Sequence, residues 1–350
     1  MEIAHELNQL DFGGVEKVIR NIIKYDSKNK HKVLASKDGA FRKKLEEVGA
    51  EIIIEPDGED VDVTADVIHV HSGGDVSTLA FVVGEEFPVI ETIHSPVRSP
   101  NPRKIIKQRV GVCNAVSGRN ADCMTILNGI DFSEMEPTRD PAEIRKELGI
   151  PDGKKIIGRL GRIGRDKNLE EWLLVCHYLQ KQGCDFVPLI VGDEARDCKG
   201  YRGRLKLMAA SLPVKNIVWA GFREDVSNYL QIMDVFLYPS ATEGFGLVFA
   251  EAMFNNAVVV TWATDVTREL FGGYALLACP EKGIGGLVHA TDKALNDQNI
   301  RDEFMGLSKN FVISEYEAQR MSLQYQEVYE RCYIDFNRKD EPKAQDVVPA

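Results

Sequence analysis

The 350-residue chain has no run of 18 apolar residues, no C-x-x-C pair and no low-complexity tract. The first absence excludes a helix that spans a membrane. Its seven cysteines, at 113, 123, 176, 184, 198, 279 and 332, are odd in number and scattered, so neither a disulfide framework nor a paired zinc site is expected. Reduced thiols in a cytoplasmic setting are the simplest reading. The start, M-E-I-A-H-E-L-N-Q-L-D, lacks the basic stretch followed by an apolar one that marks a secretory leader. Excess positive charge is missing too: 43 Lys+Arg against 54 Asp+Glu give a formal charge of -11 and a pI near 5.3. That balance argues against nucleic acid as a partner and leaves room only for local basic sites, such as a peripheral membrane contact. Neither half carries a G-x-G-x-x-G loop with an acidic residue about 20 positions on, which argues against a nicotinamide-dependent dehydrogenase.

What is present is a foldable composition, 44% hydrophobic and 28% charged, long enough for two domains. Short β-branched runs alternate with longer helical patterns, as in parallel α/β sheets whose strands are joined by crossover helices. The first set predicts a helix over 15–25, a strand over 32–35, a helix over 41–48, and strands at 51–54, 67–70, 89–93, 111–116 and 124–127. The stretch E-P-T-R-D-P-A-E, with Pro137 and Pro141, reads as a linker or hinge. The second set predicts strands at 155–160, 187–191, 217–220, 235–238, 257–261 and 275–277. Two helices are expected within 293–333, and the last residues lack apolar periodicity. The predicted division is an N-terminal Rossmann-like domain over 1–136, a second over 137–315, a helix over 316–336 crossing back to the first, and a disordered tail over 337–350. Chemistry in such sheets belongs on loops after the carboxyl ends of strands.

The strongest local signal is T-E-G-F-G-L-V-F-A-E-A-M at 242–253, directly after the apolar strand D-V-F-L-Y-P-S. Gly244 and Gly246 let the backbone approach a ligand, and the unpaired N–H groups at the following helix start favour an anion such as a diphosphate. Glu243 and Glu251 would repel phosphate, so they suit hydrogen bonds from sugar or ribose hydroxyls. A capped helix with ordinary acidic residues is the bland alternative. A second element, G-R-L-G-R-I-G-R-D-K-N at 158–168, overlaps a strand end and places Arg162 and Lys167 on a loop, where a diphosphate needs cations. Arg159 and Arg165 read equally well as solvated charges.

Together these residues resemble a retaining glycosyltransferase of family four, with the GT-B architecture of two Rossmann-like domains facing across a cleft. Glu243 and Glu251, seven residues apart, match its E-x7-E pattern, and G-R-I-G-R-D-K matches its G-R-x-x-x-x-K element. V-I-E-T-I-H, ending at His94, is similar to its strand that ends in His. L-N-G-I-D at 127–131 is similar to its turn near the domain junction, and D-F-G-G-V-E at 11–16 to its N-terminal glycine loop. The resemblance implies that Arg162 and Lys167 hold a donor diphosphate, with backbone N–H groups of Phe245, Gly246 and Leu247. It implies that Glu251 binds ribose hydroxyls, that Glu243 faces the transferred sugar, that Gly13 and Gly14 approach from the opposite domain, and that His94 lies near the reacting centre. The implied reaction moves a sugar from a nucleoside diphosphate sugar, UDP-sugar favoured over GDP-sugar, to a hydroxyl acceptor (a glycan, a lipid-linked molecule or a small molecule). No cofactor and no metal is implied. The alternatives are a sugar-nucleotide epimerase or phosphorylase on the same fold, and a non-catalytic sugar-nucleotide-binding partner subunit.

Two departures from the family pattern stand out: N-N-A at 255–257 replaces the usual G-x-P, and T-D-V-T-R-E at 264–269 keeps Glu269 but not the usual glycines. His69 and His71, at strand period two, face the same way and raise the thought of a metal pair. With no third ligand evident, packing or cleft lining is expected instead. Arg98, Arg103, Lys104, Lys107 and Arg109 read as a solvated helix face ahead of an anion-binding patch.

Overall fold

The computed structural model describes residues 1–54, 64–72, 87–96, 98 and 106–338. Arg103 and Lys104 of the basic cluster, and the expected tail from 339 onward, lie outside them. The chain forms two compact units: Met1–Ile130 together with the closing segment from Ala318, and Asp131–Glu317.

The first unit is a parallel sheet of β1 (Glu2–Gln9), β2 (Lys30–Lys37), β3 (Glu51–Ile54), β4 (Val67–Ser72), β5 (Val89–Ile93), β6 (Ile106–Gly111) and β7 (Cys123–Thr125), ordered 3-2-1-4-5-6-7. β1 was not foreseen, because E-I-A-H-E-L-N-Q carries one β-branched residue and three charged or imidazole groups. It is nevertheless central, pairing with β2 on one side and β4 on the other. The strand expected over 111–116 is a correction: the strand ends at Gly111, and Asn114–Ser117 is a short helix. The expected solvated helix face fails as well, since Lys107 and Arg109 lie on β6, where Arg109 is buried against Glu91, Nε to Oε2 3.3 Å.

Two helices cover one face of this sheet. Gly14–Lys24 buries Val18, Ile19, Ile22 and Ile23. Ala318–Asn337 buries Ala318, Met321, Tyr325, Val328, Tyr329 and Cys332, a stripe at helical spacing. Ser322 Oγ donates to the Ile22 carbonyl at 2.8 Å and Gln326 Nε2 to the Tyr25 carbonyl at 3.2 Å, tying the two helices together.

The second unit contains β8 (Lys155–Leu160), β9 (Phe186–Val191), β10 (Val218–Gly221), β11 (Val235–Tyr238), β12 (Val258–Trp262) and β13 (Leu276–Ala278), again parallel and ordered 10-9-8-11-12-13. Both sheets therefore reverse strand order at one place, between β1 and β4 and between β8 and β11, where loops diverge and a ligand can enter. All residues of β9, β11 and β12 are buried, which is why they read as continuous apolar runs. The two helices expected within 293–333 are Gln298–Glu315 and Ala318–Asn337, and a further helix, Gly283–Asn296, precedes them.

The boundary falls after Ile130 and not at 137. Asp131 accepts hydrogen bonds from Ser133 N and Oγ at 3.2 and 2.5 Å, capping the short turn Phe132–Glu134. Phe132 stacks on Phe254 with ring centroids 5.0 Å apart, so the residues from 131 fold with the second unit.

Candidate active site

The loops after β8 and β11 carry most of the residues that the sequence marks for chemistry. After β8 the chain makes a single 3-10 turn, Arg165–Lys167, and ends it with Asn168 in the left-handed conformation, φ 46° and ψ 47°. Asn168 Nδ2 donates to the Pro239 carbonyl at 3.1 Å, and Ser240 Oγ donates to the Asp166 carbonyl at 3.4 Å. These bonds lash the two loops together at the strand-order reversal. Lys167 Nζ consequently meets Glu243 Oε1 at 2.9 Å and Asp166 Oδ2 at 3.2 Å.

Burial by itself lowers the pKa of the Lys167 ammonium, but Tyr238, Glu243 and Asp166 outweigh it, so the pKa is raised and the charge is fixed. Arg162 is more open, with half its side chain exposed and Nη2 3.3 Å from Asp166 Oδ2. Burial opposes ionisation of Asp166, while Lys167 and Arg162 overcome it and hold its pKa low. The two cations predicted to act together thus share one carboxylate.

Arg159 is a correction. It is 1% exposed and not a solvated charge, and its guanidinium lies over the Tyr238 ring, 5.0 Å from the centroid. Nη2 donates to the Arg162 carbonyl at 3.3 Å, while Nε and Nη1 find no hydrogen-bond partner among the described residues. Burial lowers its pKa, with Tyr238 and Glu243 among the groups opposing that shift. A buried cation with donors to spare is costly, and such groups concentrate at functional sites. Arg165 stays at the surface, over the Tyr201 ring at 5.3 Å.

After β11, Phe245 is buried, 3% exposed, with its ring edge-on to Tyr316 at 5.1 Å. Gly246 caps the helix Leu247–Phe254 with φ 84° and ψ 52°. A Cβ there would sit 2.5 Å from Phe249 Cδ2, so both the backbone angle and the space require glycine. The helix start offers the N–H groups of the first turn and the positive end of its dipole. Glu251, on the second turn, is buried at 3% exposure, and its carbonyl accepts from Asn255 Nδ2 at 2.9 Å. The N-N-A segment follows from this: Asn255 caps the helix end and Asn256 takes a left-handed φ of 62°. At 264–269 a Thr264–Thr267 capping box starts the helix Asp265–Phe271, a rigid substitute for a glycine loop.

The remaining predicted residues belong to the first unit. Gly13, extended at φ -152°, caps the helix that begins at Gly14, in the loop after β1. His94 follows β5 directly and is partly exposed. Burial lowers its pKa to about 4, so it is neutral at pH 7. Its Nε2 lies 3.1 Å from His71 Nδ1. His69 and His71 have a third imidazole beside them after all, His5, which pairs with His69 in register across β1 and β4. Sequence reading missed it, as it missed Arg159, because register and burial are not written in local spacing.

Residues 140–309 match the family described as Glycosyl transferases group 1. Over 219 residues the chain is 29% identical to the lipopolysaccharide core biosynthesis mannosyltransferase LpsB of Rhizobium meliloti (strain 1021), covering 60% of each protein. The chain thus spans only about 60% of that relative's length. It is 21% identical over 289 residues to the N-acetyl-alpha-D-glucosaminyl L-malate synthase of Bacillus anthracis, covering 75% of this chain and 74% of the relative. In fold it is similar to the crystal structure of Anabaena Alr3699/HepE in complex with UDP and glucose, with a TM-score of 0.81, 18% identity, and coverage of 95% of this chain and 100% of that one. That likeness speaks for architecture: paired parallel-sheet α/β units of the GT-B kind. Among the described residues no helix is long and apolar enough to cross a membrane.

Proposed function

The chain carries a glycosyl transferases group 1 domain over residues 140–309, and from that premise we propose that it is a retaining, metal-independent glycosyltransferase. It takes a nucleoside diphosphate sugar, UDP-sugar in preference to GDP-sugar, and transfers the sugar to a hydroxyl acceptor. The observation that carries this reading is the convergence of Lys167, Glu243 and the Gly246-capped helix on adjoining loops after β8 and β11, with the buried Arg159 charge behind them.

Breaking the bond between the anomeric carbon and the donor phosphate leaves negative charge on the departing diphosphate. In this proposal Lys167 and Arg162 meet that charge, and the backbone N–H groups of Phe245, Gly246 and Leu247 receive the phosphate oxygens. Fixed donors of this kind need no reorganisation as charge develops, which is where such sites gain most of their rate. Two cations and a helix start supply what a divalent ion supplies elsewhere, which is the reason for proposing a metal-free reaction. Glu243 positions Lys167 and accepts from a hydroxyl of the transferred sugar. Glu251 accepts from the ribose hydroxyls. His94, neutral at pH 7, hydrogen-bonds a substrate hydroxyl, and Gly13 and Gly14 bring backbone close to substrate. No carboxylate is assigned a covalent glycosyl intermediate. The reading needs no cofactor and places the protein in the cytoplasm, where nucleotide sugars are made. The mannosyltransferase name of one relative and the UDP in the Anabaena structure lend support to the donor class.

The test is to incubate the protein with a panel of sugar nucleotides, with and without acceptor alcohols, and to follow free UDP or GDP. Acceptor-dependent UDP release that persists in EDTA is expected. Loss in EDTA contradicts metal independence, and release from GDP-sugars alone contradicts the base preference. The Thr264–Thr267 capping box in place of a flexible glycine loop favours one rival, a non-catalytic sugar-nucleotide-binding subunit. That rival predicts binding with no release under any condition.

A further inference from the structure

Five of the seven histidines lie on one face of the first sheet, at positions 5, 31, 69, 71 and 94. Four of them form an unbroken line. His31 Nδ1 lies 3.0 Å from His5 Nε2, His5 Nδ1 lies 3.0 Å from His71 Nε2, and His71 Nδ1 lies 3.1 Å from His94 Nε2. At the far end His31 Nε2 lies 3.3 Å from Asp26 Oδ2. Each ring therefore faces its neighbour with the nitrogen opposite to the one it used before. Strand register makes this line: the residues come from β2, β1, β4 and the residue after β5, neighbours across the strand-order reversal.

A neutral imidazole has one donor and one acceptor nitrogen, so a line of them can run in only two senses. Asp26 chooses between them. Its Oδ1 accepts from the Lys28 and Asn29 backbone N–H groups at 3.0 and 3.2 Å, and its Oδ2 accepts from Asn29 Nδ2 at 2.7 Å. Burial opposes its ionisation, but these donors and His31 outweigh it and hold the carboxyl ionised. An ionised carboxylate only accepts, so a bare lone pair on His31 Nε2 would be repelled; that nitrogen carries the proton. Every ring then follows in the Nε2–H form, and His94 is left with an Nδ1 lone pair.

We propose that Asp26, through His31, His5 and His71, fixes the tautomer of His94 so that its Nδ1 presents a hydrogen-bond acceptor, which selects a substrate hydroxyl that donates. Asp26, His31, His5 and His71 are positioning residues. The catalytic consequence rests on the reading that His94 meets a substrate hydroxyl; the tautomer itself does not.

A metal is the competing account of the same cluster, since His5, His69 and His71 place one nitrogen each within 4.8 Å of one another. Protons fit better. Both nitrogens of His69 are taken, by the Tyr329 hydroxyl at 2.8 Å and the Thr92 hydroxyl at 2.7 Å, and both nitrogens of His5 and of His71 face other imidazoles.

The experiment is nitrogen-15 NMR of the imidazoles in the full chain at pH 7.5, labelled at histidine, for wild type and Asp26→Asn. The wild type should show His94 protonated at Nε2. In the variant the Lys28 and Asn29 N–H groups hold the amide oxygen, which puts the amide NH2 against His31 Nε2. The line should then reverse, and His94, with three rings between it and position 26, should become protonated at Nδ1. Wild-type His94 protonated at Nδ1, or an unchanged tautomer in a folded variant, overturns the proposal; the wild-type spectrum decides even where the variant fails to fold. One equivalent of tightly held zinc, copper or nickel in the purified protein, with imidazole signals that shift on its removal, overturns it in favour of the metal. In turnover with UDP-sugar and acceptor, Asp26→Asn should lower kcat about 10-fold or more with little change in the KM for donor. Unchanged kcat beside a reversed tautomer would overturn the catalytic consequence, and absence of any glycosyl transfer by wild type would instead count against the functional reading.

Discussion

Replacing Gly246 by alanine separates two reasons for a glycine at the start of the site helix. The first is the backbone angle, φ 84°, which costs an L residue about 1–2 kcal/mol. The second is space: a Cβ would lie 2.5 Å from Phe249 Cδ2. Phe249 cannot easily yield, because it is fully buried with its ring against Tyr238 at 5.5 Å and Phe271 at 5.4 Å. Forcing a methyl into such packing costs about 1–3 kcal/mol, so Gly246→Ala should lose roughly 2–5 kcal/mol in all. Gly183 is the control: φ is 92° with nothing within 4 Å of its Cβ position, so Gly183→Ala should lose only about 1–2 kcal/mol. Both lie in the second unit, as do all three tryptophans, Trp172, Trp219 and Trp262. Urea unfolding followed by tryptophan fluorescence therefore reads the right unit. Gly246→Ala should also weaken UDP binding while Gly183→Ala leaves it intact. Equal stability losses in the two variants would refute the steric half of the reasoning.

Lys167→Met removes the ammonium between Glu243 and Asp166, and should lower turnover by about 100-fold or more if it neutralises the leaving group; steady-state kinetics with saturating donor checks this. The first unit should lose stability in acid. Burial lowers the pKa of His5, His69 and His71 well below 6.5, and that of His94 to about 4. Below pH 6.5 the unfolded chain therefore binds protons that the folded chain refuses. Stability present above pH 6.5 should fall toward pH 4, each neutral histidine adding about 1.4 kcal/mol per pH unit. Asp26, His31, Thr92, Tyr325 and Tyr329 face this cluster; the low folded pKa of Asp26 adds a further loss only below about pH 4, where the unfolded carboxyl protonates. Urea midpoints read by histidine NMR at pH 7, 6 and 5 test it, and a flat profile would contradict neutral burial.

How far the sequence could be read depended on whether the deciding interactions were local. β11 announces itself as an apolar run and β5 and β8 as short β-branched ones, and the Gly-Phe-Gly turn before Leu247 states its own backbone need. Arg162, Lys167 and Glu243 were legible because each sits a few residues beyond such a strand, and Glu251 because of its fixed spacing from Glu243. β1 was not, since His5, the polar residue it buries, is enclosed by partners from β2, β4 and the closing helix, all distant in sequence. Arg159 looks like any strand-end arginine until Tyr238 comes to lie under it. The imidazole line is invisible for the same reason: positions 5, 31, 71 and 94 become neighbours only through strand register.

A structure of the chain bound to UDP bears most directly on the donor site. Diphosphate oxygens should accept from the backbone N–H groups of Gly246 and Leu247 at about 2.7–3.2 Å and lie in hydrogen-bond reach of Lys167 Nζ and the Arg162 guanidinium. A diphosphate seated away from that helix start, touching neither cation, would contradict the account.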